Sequence, residues 1–475
     1  MSTPKVAVMT FGDERPDMWD KVFGPLTIPQ HKQAIEYFEN LGLEVYAFDE
    51  IARTKEQIDS QVDELQGKGV EVMIAHIPCW TSPNLVVRGV QRMNLPTITL
   101  TNKHAGTHGG VGFFGASGTL TQIGFPHRRV RENFDSPELE SKALPFIRAA
   151  SAKAKLQGKM FGLFGGRSLG IDTGTFDPMQ WRRQFGVDVE HIDQLEIIRR
   201  AEVIAAERTQ KMVTWLADNT ACICYDDAAL TDEKLAFAVN CYLATKDIIA
   251  EKGLDFVAIK CMPDLVNHYI PQCISAAFLP GPYDADGDKK PVSMACEADG
   301  DGALTMEMLK DISGGKSLLF GDVSHINDAT NTLYIPNCGS QCTWFAGRSE
   351  NPAENLKQVE IRPSVRPAGG ATVYFTAAPG PVTLARLYRD TGHYKMAIIP
   401  GEAIELPQEE LEEFIKARGK HQLPTMFVKV KMNLEHLVQE FGSNHISGVA
   451  GHYVEELVQV CNMLDITPVV MDEHF

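Results

Sequence analysis

The first two thirds of the chain alternate between short β-rich runs and amphipathic helical patterns. KVAVMTF precedes the helical pattern QHKQAIEYFENLG, and LEVYAFD precedes TKEQIDSQVDELQGKG. Strands that alternate with helices are typical of βαβ units, whose helices cover a parallel sheet. The alternation restarts near residue 154, with KMFGLFGG, VDVEHID, ACICYDD and DFVAIKC. We therefore predict two successive Rossmann-like α/β domains with parallel sheets, residues 1–153 and 154–327.

The pattern changes near residue 328. The segments NTLYIPN, GATVYFTAAPGPVTLARLYRD, KMAIIPGEAIEL and TMFVKVKM are β-rich, contain Gly and Pro turns, and have few helices between them. This spacing is typical of antiparallel sheets and barrels. We predict a β-rich, barrel-like C-terminal domain, residues 328–475. The predicted fold class is thus α/β, with two parallel-sheet domains followed by a β-rich domain.

The charge balance restricts the partners. The 475 residues include 45 Lys and Arg against 62 Asp and Glu, a net charge of −17 that is spread along the chain. Nucleic acids and anionic membranes require a basic surface, so neither is a predicted partner. No apolar run reaches the roughly 18 residues of a transmembrane helix. The N-terminal MSTPKVAVMTFGD enters a strand pattern without a signal-peptide pattern, and we predict a cytoplasmic protein.

The ten cysteines are scattered along the chain, without a CxxC pair. In a chain of this size, the scatter predicts free and mostly buried thiols rather than a disulfide framework or a zinc site. Cys222 and Cys224, in the apolar run ACICYDD, are predicted to fill the core rather than to bind a metal ion.

Two carboxylates and one histidine are the candidate functional residues. Glu297 follows the strand-like VSMAC, Asp322 ends SLLFGD, and His445 lies in a predicted loop, GSNHISG, between two helical patterns. Ligands of open α/β sheets gather at the carboxyl ends of strands. An Asp, Glu and His set suits Mn²⁺ or a similar divalent cation with positions open for substrate. On spacing alone, capping of the following turns is the favoured explanation for the two carboxylates.

Several motifs taken in order resemble the L-fucose isomerase family, which is related to the L-arabinose isomerases. They are IPCW, FGLFGGRSLGI with VDVEHIDQLEIIRRAE, ACEADG, FGDV and SNHISGVAGH. The similarity runs in order over nearly the whole chain. It implies two Rossmann-like domains followed by a β-rich domain. It also implies aldose–ketose isomerisation with Mn²⁺, usually in a homohexamer whose sites are completed by a neighbouring subunit.

The resemblance implies roles for six residues. Glu297, Asp322 and His445 would hold Mn²⁺ or another divalent cation, and the two carboxylates would form the catalytic pair that acts through an enediol. The substrate-binding residues would be Arg15, Trp80 and Asn444. Asn444 would contact the sugar beside His445, whereas Arg15 and Trp80 would reach a sugar bound in another subunit's site.

The chain departs from the family pattern at three sugar-contacting places, Lys260–Met262, Pro367–Gly370 and Phe441. These departures leave the sugar open, and L-fucose, D-arabinose or a related aldose is expected. A non-catalytic cytoplasmic sugar-binding protein is one alternative, because two α/β domains with a cleft suit ligand capture. A metal-dependent sugar epimerase on the same scaffold is the other.

Overall fold

The computed structural model describes residues 3–419 and 422–473. Two compact units divide between Ala154 and Lys155, beside the predicted boundary at residue 153. Over the described part of the chain, no helix has the length and apolar character needed to cross a membrane.

The first unit is built on a five-stranded parallel sheet with the strand order β2-β1-β3-β4-β5. This is one of the two common doubly wound orders, and its strand ends meet at one edge. The strands are β1 (Lys5–Thr10), β2 (Glu44–Tyr46), β3 (Val72–His76), β4 (Thr97–Thr101) and β5 (His127–Arg131). The helices are α1 (Pro16–Met18), continued by a π-helical turn (Trp19–Phe23), α2 (Gly24–Asn40), α3 (Lys55–Gln66), α4 (Pro83–Met93), α5 (Gly109–Gln122) and α6 (Pro137–Leu156).

Local sequence explains several of these elements. Helix α3 begins with a capping box, in which the Thr54 hydroxyl accepts a hydrogen bond from the Gln57 backbone N–H and the Gln57 side chain accepts one from the Thr54 N–H. Strands β3 and β4 are buried along their whole length, as expected for central strands of a parallel sheet covered on both faces.

The second unit contains seventeen strands and eleven α-helices among its described residues. The strands are β6 (Met160–Phe164), β7 (Asp188–Ile192), β8 (Cys222–Ile223), β9 (Phe256–Ile259), β10 (Tyr283–Asp284), β11 (Gly287–Asp288), β12 (Met294–Cys296), β13 (Leu318–Asp322), β14 (His325–Asn327), β15 (Thr332–Pro336), β16 (Glu360–Pro363), β17 (Ala371–Tyr374), β18 (Gly380–Asp390), β19 (His393–Ile404), β20 (Thr425–Val430), β21 (His445–Ala450) and β22 (Thr467–Val470). The helices are α7 (Pro178–Phe185), α8 (Leu195–Ala201), α9 (Ala206–Asn219), α10 (Asp232–Lys252), α11 (Asp264–His268), α12 (Cys273–Phe278), α13 (Gly300–Ile312), α14 (Pro352–Leu356), α15 (Gln408–Arg418), α16 (Leu434–Glu440) and α17 (Val454–Met463).

Two main sheets form this unit. A four-stranded parallel sheet has the order β12-β9-β6-β7. An eight-stranded sheet has the order β13-β21-β18-β19-β20-β15-β14, with β22 paired in parallel to β19 and the other neighbours antiparallel. The predicted parallel sheets and the β-rich C-terminal region are confirmed, whereas the Rossmann-like character stays a prediction.

The predicted division of this unit after residue 327 also stays a prediction. The eight-stranded sheet begins at Leu318, before the predicted start at residue 328, so Asp322 belongs to this sheet. Residues of both sheets share one hydrophobic core, for example Phe164 and Ile259 from the parallel sheet and Leu384 and Ile446 from the other.

Helix α13 contacts both of these sheets. It is buried along its whole length, and it contacts β9 and β12 of the parallel sheet as well as β13, β18 and β21 of the eight-stranded sheet. Its charged side chains are paired: Lys159 contacts Glu307 and Asp311, and Lys310 contacts Glu307. Pairing is the condition under which buried charges are tolerated. The helix therefore gives a fixed support to the residues at its N-terminus.

The prediction of free thiols is wrong for one pair of cysteines. Cys222, on the short strand β8, forms a disulfide with Cys224, which directly follows that strand, and both are half-buried rather than core residues. The backbone of β8 pairs with β16, which brings Cys222 into register with Glu360. The other eight cysteines are free, and seven of them are buried as predicted.

Candidate active site

Glu297, Asp322 and His445 lie together in the second unit. Asp322 ends β13 and His445 begins β21, and the two residues are cross-strand partners. Glu297 directly follows β12, at the carboxyl end of the parallel sheet. The Nε2 atom of His445 lies 3.2 Å from a Glu297 carboxylate oxygen and 3.4 Å from an Asp322 carboxylate oxygen. The structure therefore brings the three predicted ligands to one place.

The predicted loop position of His445 is wrong. The residue begins β21, whose backbone pairs with β13 on one side and with β18 on the other, and its side chain is buried. This double pairing is a long-range feature, since β18 and β13 are remote from His445 in sequence. The imidazole is thus fixed by a sheet rather than by a glycine-rich loop.

The backbone at Glu297 is unusual. Glu297 and Ala298 have φ angles of +58° and +56°. Residues other than glycine rarely adopt this left-handed region, and two in succession cost free energy. Such conformations cluster at functional sites, where the surrounding structure holds them. Here they form the turn between β12 and α13, which sets the position of the Glu297 side chain.

A buried series of charged groups contacts the Nδ1 side of the His445 ring. Its Nδ1 atom lies 2.7 Å from Asp299 Oδ2. The same carboxylate accepts a hydrogen bond from Arg386, a fully buried residue of β18, and its Oδ1 atom accepts the Gly302 backbone N–H that caps α13. A carboxylate behind the second ring nitrogen is the arrangement that orients metal-binding histidines.

The acidic residue that caps α13 is Asp299 rather than Glu297. Glu297 lies in the turn before Asp299. Asp299 and Arg386 are the residues that sequence reasoning missed. An arginine in the apolar run of GPVTLARLYRD was the available signal, because a buried arginine requires a buried acidic partner. The sequence did not indicate which acid that partner is.

The electrostatics of the cluster follow from burial and from an excess of carboxylates. Burial raises the pKa of Asp322 to about 6, and the Glu297 carboxylate adds to this shift while His445 opposes it. Burial would lower the pKa of His445, but hydrogen bonds to Asp299 and Glu297 raise it to about 9. Burial also acts to raise the pKa of Asp299, yet Arg386 and His445 hold it well below its usual range. The cluster therefore attracts positive charge.

This donor set fits a divalent cation. Two carboxylates and one imidazole supply oxygen and nitrogen ligands of the kind that Mn²⁺ and related ions accept. The Glu297 side chain is 11% exposed and the Asp322 side chain is 34% exposed, so the cluster opens to solvent on the Asp322 side. A small molecule can thus approach the carboxylates while the histidine stays enclosed.

Asn444 lies at the rim of the cluster. It directly precedes the buried His445 but is itself exposed. Its Oδ1 atom accepts a hydrogen bond of 3.1 Å from the Thr173 hydroxyl, on the segment that precedes α7. The side chain is therefore held beside the histidine and remains open to solvent, which is compatible with its predicted contact with a sugar.

Arg15 and Trp80 belong to the first unit. Arg15 follows β1 and makes a two-pronged ion pair with the buried Asp13, at 3.0 Å from Nε and 2.6 Å from Nη2. Trp80 follows β3, is half-buried, and donates its backbone N–H to Thr107. Both residues thus lie at the carboxyl edge of the first sheet. Their contact with a sugar in a neighbouring subunit stays a prediction.

Comparison with known families identifies the class of protein. The family model described as the first N-terminal domain of L-fucose isomerase matches residues 4–158, and that of the L-fucose isomerase C-terminal domain matches residues 335–472. These matches define a sugar aldose–ketose isomerase. The chain belongs to the L-fucose isomerase family, in agreement with the order of its motifs.

Individual relatives carry two different names. A sulfoquinovose isomerase of Alkalicoccus urumqiensis is 25% identical over 62% of this chain and 62% of its own length. A sulfoquinovose isomerase of Priestia aryabhattai is 20% identical over 92% of this chain and 93% of its own length. An L-fucose isomerase of Haemophilus influenzae strain PittEE is 22% identical over 92% of this chain and 86% of its own length.

Proposed function

We propose that this protein is a Mn²⁺-dependent aldose–ketose isomerase that acts on an open-chain sugar through an enediol. The observation that carries the proposal is the convergence of Glu297 and Asp322 on the Nε2 atom of His445, at 3.2 and 3.4 Å. Membership of the L-fucose isomerase family supports the reaction class.

The three converging residues would hold the cation, with other divalent ions as substitutes for Mn²⁺. A bound divalent cation supplies Lewis-acid polarisation of the sugar carbonyl and offsets negative charge on the sugar oxygens. Asp299 and Arg386 fix the imidazole ring, so that Nε2 faces the two carboxylates. Because the ring is fixed before substrate arrives, no reorganisation is needed at the moment of reaction.

Glu297 and Asp322 are the proposed acid–base pair. One carboxylate removes the proton from the carbon beside the carbonyl and returns it to the neighbouring carbon. The other transfers a proton between the two oxygens, so the ketose contains the same atoms as the aldose.

The proposed substrates are L-fucose, D-arabinose or a related aldose. Asn444 would contact the sugar, and a hexamer would bring Arg15 and Trp80 of one subunit to the sugar of another. This assembly follows the family pattern and is part of the proposal.

A sulfonated aldose is a second candidate substrate, because of Arg418. Partial burial lowers the pKa of this guanidinium, and the Asp322 carboxylate opposes the shift, so the two charges interact. Arg418 also donates a hydrogen bond of 2.8 Å to the Ser324 hydroxyl. A guanidinium beside the opening of the cluster suits an anionic substituent on the sugar. The sulfoquinovose isomerases among the relatives support this candidate.

The experiment that tests the proposal starts with protein stripped by EDTA. Mn²⁺ is added back, and ketose formation is followed from L-fucose, D-arabinose, L-arabinose, D-altrose and sulfoquinovose. Metal-dependent ketose formation from any of them is the expected result. Epimer formation instead of ketose would favour the epimerase. Sugar binding that is the same with and without Mn²⁺, and that is not followed by turnover, would favour the non-catalytic binding protein.

A further inference from the structure

Four free cysteines from separate elements gather beside the candidate active site. They are Cys261 after β9, Cys273 at the start of α12, Cys296 at the end of β12 and Cys338 after β15. The sulfur atoms of Cys296 and Cys338 lie 3.8 Å apart. Cys273 donates its S–H to the Cys338 carbonyl oxygen at 3.6 Å. The family comparison and the proposed reaction give these thiols no role.

Cys296 and Cys338 differ in their access to solvent. Cys338 is half-buried, whereas Cys296 is 6% exposed. A small oxidant in solution therefore reaches Cys338 first, with Cys296 as the partner thiol behind it. Solvent access and a neighbouring thiol that can resolve a sulfenic acid are two features of reversible redox sites.

Both cysteines are connected to the candidate active site. Cys296 directly precedes Glu297. The Cys338 backbone N–H donates to the Asn337 side chain, whose amide donates to the Phe320 carbonyl oxygen at 3.2 Å. The Phe320 ring packs on the His445 ring, with centroids 4.9 Å apart. Each cysteine is therefore joined to a residue of the cluster, Cys296 by a peptide bond and Cys338 through Asn337 and Phe320.

We propose that Cys296 and Cys338 form a reversible disulfide with hydrogen peroxide, and that this bond inactivates the enzyme. A disulfide requires the sulfur atoms at about 2.05 Å, so they must approach by roughly 1.7 Å from their separation of 3.8 Å. If the Cys296 side takes up the movement, Glu297 is displaced. If the Cys338 loop takes it up, the shift reaches Phe320 and then His445.

The chemistry balances with hydrogen peroxide as the only oxidant. The Cys338 sulfur attacks one peroxide oxygen, the O–O bond breaks, and water leaves with the thiol proton, which gives a sulfenic acid. The Cys296 sulfur then attacks the Cys338 sulfur, the S–S bond forms and the S–O bond breaks. The leaving hydroxide takes the Cys296 proton as a second water. Two thiols are oxidised and one peroxide is reduced.

The test treats reduced protein with hydrogen peroxide, stops the reaction with catalase, and measures disulfide linkage and turnover on the same samples. Linkage is identified by mass spectrometry of peptides under non-reducing conditions. The expected result is a disulfide-linked Cys296–Cys338 peptide. Turnover should fall about 100-fold in fully linked protein, because displacing a site residue by about 1 Å is enough to lower the rate by that factor. Dithiothreitol should reverse both changes.

Variants of Cys338 and a control variant of Cys461 separate this disulfide from general oxidation. Cys338→Ser and Cys338→Ala should keep their turnover after peroxide treatment. Cys461→Ser removes a buried thiol from a different part of the unit, so its turnover should be as sensitive to peroxide as that of the wild type. Linkage without loss of turnover would overturn the inference, as would equal sensitivity of the Cys338 variants. The activity readout rests on the proposed function. Reduced protein without turnover on any sugar would defeat that function, and absence of the linked peptide would then overturn the disulfide independently.

Discussion

The Asp299 carboxylate binds His445, Arg386 and the N-terminus of α13 at the same time. Its Oδ2 atom lies 2.7 Å from His445 Nδ1, and its Oδ1 atom accepts the Gly302 N–H at 2.8 Å. The orientation of the imidazole is thus tied to the start of a fully buried helix. Asp299 is a positioning residue, because it acts on the candidate site through the histidine.

Replacing this carboxylate should weaken metal binding more than a structural role alone predicts. We expect Asp299→Asn to lower Mn²⁺ affinity by about 10- to 100-fold, measured by titration calorimetry, because the ring loses its charged partner. The variant should also lose stability by about 3–5 kcal/mol, since Arg386 is left buried without a counter-charge. Asp311→Asn, at the other end of α13, is the control: it should destabilise the protein and leave Mn²⁺ affinity unchanged. Equal affinities in both variants would contradict the positioning role.

The two carboxylates that face Nε2 should be essential for turnover. We expect Glu297→Gln and Asp322→Asn each to lower kcat by about 100-fold or more, because an amide cannot exchange the proton. Thermal denaturation should show that both variants fold. Asp390→Asn, which removes an exposed carboxylate at the end of β18, serves as the control and should be fully active. A near-normal kcat in either site variant would defeat the assignment.

His76 gives the first unit an acid sensitivity of its own. Burial lowers the pKa of His76 to about 4, although the hydrogen bond with Asn102 opposes this shift. In the unfolded chain the pKa is about 6.5, so the unfolded state binds more protons between these values. The stabilisation is complete above about pH 6.5 and is lost as the pH falls toward 4, with a maximum of about 3 kcal/mol.

Denaturant titrations between pH 7 and pH 4 test this linkage. The free energy of unfolding of the wild type should fall across this range, and His76→Gln should show a smaller fall. The exposed His104 lies in the same unit, so His104→Gln should keep the wild-type slope. Parallel curves for the wild type and His76→Gln would exclude His76 as the source.

Arg418 should discriminate between neutral and anionic sugars. If a sulfonated aldose is the substrate, Arg418→Met should lower kcat/KM for sulfoquinovose by about 10- to 100-fold, because each hydrogen bond to a charged group contributes about 1.5–3 kcal/mol. Lys416→Met, an exposed cation on the same helix, is the matched control. The kcat/KM for L-fucose should stay within about twofold in both variants. An equal loss on neutral and sulfonated sugars would remove Arg418 as a specificity residue.

The sequence indicated those site residues whose positions depend on local pattern. Glu297 and Asp322 come at the ends of apolar runs, and the strand ends β12 and β13 lie where these runs predict them. The Gly and Asn residues around His445 predict a loop at this position. Its strand depends on pairing with β13 and β18, which no local pattern reveals.

The missed contacts have the same cause. Arg386 and Asp299 are far apart in the chain. From its local sequence, Arg386 is an ordinary strand residue and Asp299 is an ordinary helix cap. Only the packing of β18 against α13 makes them partners. The disulfide between Cys222 and Cys224 was missed for a different reason, since two cysteines on a short strand in an apolar run also fit a reduced core.

The burial of α13 divides the site into a part that is packed in the core and a part that lies at the surface. Asp299 and Arg386 are bound into the core, so their replacement disturbs the packing of both sheets. Asn444 is exposed and Arg418 is half-exposed, so replacing them changes little beyond the surface at the opening of the cluster. Substitutions at this opening can therefore change what the cluster contacts without disturbing the core that holds His445 in place.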